Sequence, residues 1–367
     1  MSISNYTLGI INHNLPVSLK IAEEAHNLSI NVVLLSDIEL SNSYKCAFDN
    51  VIIGSLLSKN ILKTFANKCD IVTYLSNNVP ISTLKYLNDK VDLVQGLELI
   101  SIIKDRSLEK RLFEEINVNN YPYTVVTQLD DIYGSISSIG FPAVLSPIQR
   151  KSEEQKLLIN SQADIALASD MLLKNGPHIL EARLKNSIDY DVYMAKSSSK
   201  ENNIRVFPAL RIQKTSNGLL EAYLSNDLLS SELISEMKRL STLIAMKINY
   251  YGLFKITLSI SKSKNIFVKG ISIDINEISM IFNKAFNINA IDLHLRSLLG
   301  LSLPLLKQYN PVILATFNKD VIDSIDRQLL IKNNWKFYYL NDDNGYIILQ
   351  PNSLKLGLNQ LLATNIW

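Results

Sequence analysis

Apolar and polar positions alternate in blocks along the first ninety residues. Residues 6–11 (YTLGII) make an apolar run of strand length. Residues 17–27 put Leu19, Ala22 and Ala25 on related faces of a helix, and residues 30–35 (INVVLL) return to a buried strand. The alternation continues through a strand at 51–53, a helix over 56–66, a strand at 71–74 and a helix over 81–87. Apolar strands separated by helices predict a parallel sheet covered by those helices.

The middle of the chain has a different rhythm. A charged helix is predicted over 99–117, with Lys104, Asp105, Arg106, Glu109 and Lys110. A pair of strands follows at 123–126 and 143–145, separated by a helix over 129–139 and a Gly140-Phe141-Pro142 turn. Further strands are predicted at 179–181, 190–196 and 205–210, with a polar hairpin tip at 197–203. A long helix runs over 230–248. Strands 252–260 and 265–275 form a hairpin, and a helix over 291–299 closes the region. The tail reads as short strands at 312–317, 335–340 and 346–349.

Composition narrows the function. With 367 residues, 47% of them hydrophobic, the chain can build two or three domains with real cores. Its formal net charge of +2 argues against a nucleic-acid partner held by counterion release, and no basic run marks a membrane patch. The polar start and the shortness of the apolar runs predict no signal peptide and no membrane span, hence a cytoplasmic protein. Cys46 and Cys69 do not make a disulfide framework and are expected to be reduced core thiols. Glycine is scarce: the chain has 12, about 3% against a usual 7% or so. Backbone that cradles phosphate needs glycine for close approach. The turn after the first strand, Asn12-His13-Asn14-Leu15-Pro16, has none of the glycines of a dinucleotide fingerprint. His13 reads as a solvated loop histidine more readily than as a ligand.

An ordered series of segments carries a family resemblance. It comprises residues 70–87 (DIVTYLSNNVPISTLKYL), residues 94–125 with Asp105-Arg106 followed by Glu109-Lys110, the strand Phe141-Pro142-Ala143-Val144-Leu145, Phe207-Pro208 leading to Gly218-Leu219-Leu220, and residues 294–304 (HLRSLLGLSLP). Together, across residues 6–317, they resemble the N5-carboxyaminoimidazole ribonucleotide synthetases, which are ATP-grasp ligases. The resemblance implies an α/β (α+β) three-domain ATP-grasp fold: a Rossmann-like domain over 1–100, a two-part ATP-grasp domain over 101–300, and a small β-rich C-terminal domain over 301–367. It implies ATP and magnesium as cofactors, carboxylation of 5-aminoimidazole ribonucleotide as the family's reaction, and a dimer as the family's assembly.

The resemblance carries over residue by residue, with losses. Arg106 falls on a phosphate-binding arginine; the competing assignment is a surface arginine paired with Asp105 or Glu109. Glu181 and Leu184, in residues 179–184 (ILEARL), fall on the hinge that takes the ribose and adenine; otherwise they are a strand-end acid and a core leucine. Asp189 falls on a glutamate that precedes a Leu-Ser-Val run. Ser146 stands on the ATP-grasp lysine, and a hydroxyl cannot neutralise a phosphate oxygen as an ammonium does. Residues 151–157 (KSEEQKL) replace a glycine-rich loop and bring two glutamates toward the phosphates. Thr257 and Gly270 stand on the two magnesium carboxylates, and neither supplies the anionic oxygen that a hard cation needs. Asn276-Glu277 resembles the second metal motif but lies seven residues late, and is read as coincidence. Leu75 and Asn77 replace two acids of the first domain. No metal ligands and no catalytic residues are therefore expected.

Removing one preorganised group at a developing charge costs about 2.7–4 kcal/mol. Three or four such losses come to roughly 8–15 kcal/mol, the lower end of what an enzyme supplies in total. The sequence thus predicts a nucleotide-binding fold with ligase activity lost or much reduced. The alternative is a pseudoenzyme, paired with an intact paralogue or another pathway enzyme. The substitutions argue against full retention of ATP and magnesium.

Overall fold

The computed structural model describes residues 6–151, 155–199 and 203–367. Three sheets organise them. The first holds β1 (Thr7–Ile11), β2 (Asn31–Ser36), β3 (Asn50–Ile53) and β4 (Ile71–Tyr74), all parallel, in the order β3-β2-β1-β4. The helix Leu15–His26 follows β1 because Pro16 presets its first turn and the Asn14 side chain accepts from the Val17 amide at 3.2 Å. Its face of Val17, Ile21, Ala22 and Ala25 is buried. Gly9 is required in β1: a Cβ there would lie 2.6 Å from the Cys69 sulfur and 2.7 Å from the Phe65 ring.

The second sheet holds β5 (Tyr123–Val126), β6 (Ala143–Pro147), β7 (Leu157–Ile159) and β8 (His178–Ala182) in the order β5-β8-β6-β7. β5 and β6 are therefore not partners, as the sequence suggested; β8 returns between them and pairs antiparallel with both. The third sheet has nine strands: β9 (Ile188–Lys196), β10 (Ile204–Val206), β11 (Leu210–Lys214), β12 (Leu220–Leu224), β13 (Gly252–Ile260), β14 (Ile266–Ser272), β15 (Val312–Phe317), β16 (Lys336–Tyr339) and β17 (Gly345–Leu349). Its path is β14-β13-β9-β11-β12-β15-β17-β16, with β10 added on β9.

Several expectations are corrected. The helix predicted over 99–117 is two helices, Glu98–Lys104 and Arg106–Glu115, with Asp105 extended between them. The strand predicted over 205–210 is two strands separated by Pro208, which has no amide to donate to a ladder. The C-terminal part has its three strands but also the helices Ile322–Ile331 and Leu354–Leu362. Cys46 is exposed rather than in the core, and Cys69 is half-buried; both are free. Burial and the nearby Asp70 carboxylate push the Cys69 thiol up to about 12. The tip expected at 197–203 is closed by the Ser197 amide on the Asn203 carbonyl at 2.8 Å, and residues 200–202 lie outside the described residues.

One apolar cluster joins Leu8 and Leu34 of the first sheet to Phe207, Phe282, Leu295 and Leu314. Among the described residues, no helix is long and apolar enough to cross a membrane.

Candidate nucleotide and metal site

The candidate metal positions lie on the polar face shared by β9, β13 and β14. Register places Thr257 opposite Asp191, Lys255 opposite Tyr193, and Ser259 opposite Asp189. On the other side of β13, Gly270 lies opposite Thr257 and Ser272 opposite Lys255. Directly opposed residues project from the same face, so this register assembles one polar patch.

Within the patch, Asp191 is engaged on both oxygens. Lys255 Nζ donates to Oδ2 at 2.8 Å and Thr257 Oγ1 donates to Oδ1 at 2.7 Å. The Lys255 ammonium also lies 5.6 Å from the centre of the Tyr193 ring. Burial by itself would lower the Lys255 pKa, but Tyr193, Asp191 and Asp274 outweigh it and hold the ammonium above its ordinary value. The Tyr193 hydroxyl is fully buried and finds no hydrogen-bond partner among the described residues. Burial pushes this phenol up to about 12.

Gly270 faces a second pair. Glu109, from the helix Arg106–Glu115, is completely buried. Its Oε1 accepts from the Ile271 amide at 2.8 Å, and its Oε2 pairs with Arg150. A Cβ at position 270 would lie 3.2 Å from that Oε1 and 3.8 Å from Arg150 Nη2. An acid there would thus press against a carboxylate already in place.

A second face, that of β8 and β6, carries Glu181, Val144 and Ser146. Register sets Glu181 opposite Val144 on β6 and opposite Tyr123 on β5. Lys110 reaches Glu181 from the helix below and forms an ion pair with it, its ammonium 5.9 Å from the Tyr121 ring and 5.7 Å from the Tyr123 ring. Arg106 begins the same helix. It is buried, not a surface residue, and donates from Nη1 to the Pro147 carbonyl at 3.2 Å. Ser146 is buried on β6. Leu184 is half-buried in the turn between β8 and β9, and Asp189 on β9 accepts from Ser259 and Lys269. Glu181, Leu184 and Asp189 therefore follow one another across the junction of the two sheets, with the helix of Arg106 against the first of them. Of the loop replacing the glycine-rich segment, Ser152, Glu153 and Glu154 lie outside the described residues.

The loops after β1 and β4 reach the neighbouring edge of the patch. Asn77 Nδ2 donates to Ser272 Oγ at 2.9 Å, and its Oδ1 accepts from the Ile273 amide at 3.0 Å. Asn14 donates to Glu277 at 3.1 Å, so the Asn276-Glu277 pair serves the domain contact and a helix start. His13 sits 3.4 Å from the Asn78 amide nitrogen.

Sequence reasoning missed Asp191, Lys255, Tyr193 and Arg150. One signal was available: Asp189, Asp191 and Tyr193 recur at every second position of a strand, as do Lys255, Thr257 and Ser259, and a two-residue period puts each set on one face.

The three sheets in this arrangement are those of an ATP-grasp fold. Among ATP-grasp proteins, the chain shares its fold with the N5-carboxyaminoimidazole ribonucleotide synthetases from end to end. The Staphylococcus aureus enzyme complexed with ADP superposes with a TM-score of 0.85 at 19% identity, covering 98% of this chain and 97% of that one. The Aspergillus clavatus enzyme in complex with ADP and 5-aminoimidazole ribonucleotide gives 0.85 at 16% identity, covering 99% and 98%. By sequence, the N5-carboxyaminoimidazole ribonucleotide synthase of S. aureus strain COL is 21% identical over 364 residues, 98% of this chain and 93% of the relative. A formate-dependent phosphoribosylglycinamide formyltransferase of Prochlorococcus marinus is 24% identical over 297 residues, 78% of this chain and 75% of the relative. No family model matches.

Proposed function

We propose that this chain is a nucleotide-binding protein of the N5-carboxyaminoimidazole ribonucleotide synthetase type, with its ATP-dependent carboxylation of 5-aminoimidazole ribonucleotide lost or greatly reduced. One observation carries the reading. At the strand positions where the resemblance puts two magnesium carboxylates stand Thr257 and Gly270, and the acids beside them are bound by the chain's own cations, Asp191 by Lys255 and Glu109 by Arg150. Magnesium bridging a triphosphate needs carboxylate oxygens that are open to it.

The nucleotide clamp has better support. Arg106 is held at the start of its helix, and Glu181, Leu184 and Asp189 border the hinge between the sheets. Nucleotide at this hinge would compete with Lys110 for the Glu181 carboxylate. On this reading the chain binds, as homodimer or as partner of an intact relative, rather than turning over substrate.

ADP release dependent on bicarbonate and 5-aminoimidazole ribonucleotide tests the reading. At high protein concentration no release above the blank is expected, whereas millimolar ADP or ATP raises the thermal midpoint by several degrees through binding to the folded state. Bicarbonate-dependent turnover overturns the loss of activity, and a midpoint indifferent to nucleotide overturns the clamp.

A further inference from the structure

The resemblance sets Asp189 on a glutamate followed by Leu-Ser-Val, so Asp191 falls on the serine of that run, just as Thr257 falls on a glutamate. Asp191 and Thr257 are directly opposed in the β9–β13 register. Acid and hydroxyl have therefore exchanged places across one strand pair. The patch keeps a carboxylate between β9 and β13, but it now projects from β9 beside Lys255, which shares its face of β13.

We infer that Lys255 is a tethered cation that takes the electrostatic place of a divalent metal ion in this patch. The inference rests on the reading that Thr257 and Gly270 occupy former metal-ligand positions. Lys255 Nζ lies 2.8 Å from Asp191 Oδ2, and Thr257 closes the other oxygen at 2.7 Å. A metal ion approaching this carboxylate would meet an ammonium of the same sign within a few ångströms, a repulsion that the buried setting strengthens. The donor set agrees: among the described residues, no group of three or more histidine, cysteine, aspartate or glutamate side chains is arranged to hold a metal ion. The residues present do not fit magnesium.

The charges facing Lys255 come from every side of the patch. Asp191 lies across on β9 with the Tyr193 phenol; Asp274 lies beyond the end of β14, and it and Glu277 bear on Tyr193 as well. At the neighbouring position, Arg150 stands to Glu109 and Gly270 as Lys255 stands to Asp191 and Thr257. In both places a lost acid is accompanied by a fixed monovalent cation, so the patch stays balanced without a bound ion.

Manganese binding, followed by electron paramagnetic resonance without nucleotide, together with thermal midpoints, tests this. The wild-type chain is expected to bind no manganese and to have the same midpoint in chelator as in millimolar magnesium. Lys255→Met leaves Asp191 buried without its cation; its midpoint falls by several degrees, and at least half of that loss returns on adding manganese or ethylammonium. Lys255→Arg holds close to wild type. The double variant Lys255→Met/Asp191→Asn carries no unpaired charge, recovers without any cation, and keeps the test open if the single variant does not fold. Manganese bound by the wild type and lost in Asp191→Asn overturns the inference. So does a Lys255→Met variant as stable as wild type, or a double variant no more stable than the single one. Turnover is not read here, so ligase activity would sink the proposed function without deciding this result.

Discussion

His294 belongs to a buried polar network that also holds Thr73, Gln95 and Tyr250. It is fully buried, its Nδ1 accepts from the Leu253 amide at 3.0 Å, and its Nε2 lies 2.8 Å from Thr73 Oγ1. Nδ1 is thus an acceptor, so Nε2 carries the proton and donates to Thr73, whose hydroxyl in turn donates to Gln95 Oε1 at 2.7 Å. The chain of bonds continues from Gln95 Nε2 to the Tyr250 hydroxyl at 2.7 Å. A charged imidazolium has no place here, and burial lowers the His294 pKa to about 3. The folded state therefore refuses a proton that the unfolded chain takes up near 6.5. Stability from this group is complete above that pH, and it falls by about 1.4 kcal/mol per unit as pH drops toward 3. Urea unfolding at pH 7 and pH 5 should differ by about 2 kcal/mol from this residue. His294→Gln should be less stable at pH 7 yet flatter between the two pH values, and an unchanged slope would refute the assignment. His294 was legible only as part of the resembling run 294–304; its partner Thr73 lies 221 residues away, and no periodicity reports a contact at that separation.

At the scale of the element, the break at Asp105 shows what pattern reading loses. Apolar positions keep helical spacing through 99–117, so the segment reads as one helix, yet Asp105 is extended, with φ −119° and ψ 108°. Its carboxylate accepts from the amides of Ser107 at 2.9 Å and Leu108 at 3.1 Å, and from Gln149 Nε2 at 2.6 Å. An aspartate at an N-cap satisfies amides that a continuing helix would have bonded to its carbonyls, and here long-range contacts tip the balance. Arg106 donates its amide to the Ile148 carbonyl, and the Arg150 amide bonds Lys104. The restart aims the second helix so that Arg106, Glu109 and Lys110 reach the site. Asp105→Ala should cost about 0.5–2 kcal/mol in chemical denaturation, and it should weaken the nucleotide-induced rise in midpoint through the displaced helix. Asp105→Asn, which keeps an acceptor, should cost less; equal losses in the two variants would show that the cap is not what stabilises the restart. The strands and helices around the site were legible because their apolar faces are buried. The ion pairs were not, because which lysine meets which acid depends on sheet order, and β8 slipping between β5 and β6 is invisible in the local pattern.

For the whole molecule, the decisive feature is the continuity of the nine-stranded sheet. β12 of the central part pairs directly with β15 of the tail, from Glu221 opposite Ala315 to Leu224 opposite Val312. The tail's helices escaped reading because in Ile322–Ile331 only Ile325 is buried, while Leu330 is 85% exposed, so the apolar positions do not mark a core-facing stripe. Tail and centre share one cluster, in which Leu219 and Tyr223 pack with Ile313, Phe317, Trp335 and Leu361. Both tryptophans of the chain report on it: Trp335 is buried there, and Trp367 packs against it while donating to the Thr316 carbonyl at 2.8 Å. Tail strands that were only appended would melt first, and tryptophan emission would shift before the helical signal fell. A sheet whose hydrogen bonds run without interruption from β14 to β16 cannot release β15 without exposing the β12 edge and opening the shared cluster. Thermal unfolding followed by tryptophan fluorescence and by far-ultraviolet circular dichroism should therefore give coincident midpoints. A tryptophan transition clearly below the dichroism transition would mean that the tail unfolds alone and that the β12–β15 pairing contributes little to holding the molecule together.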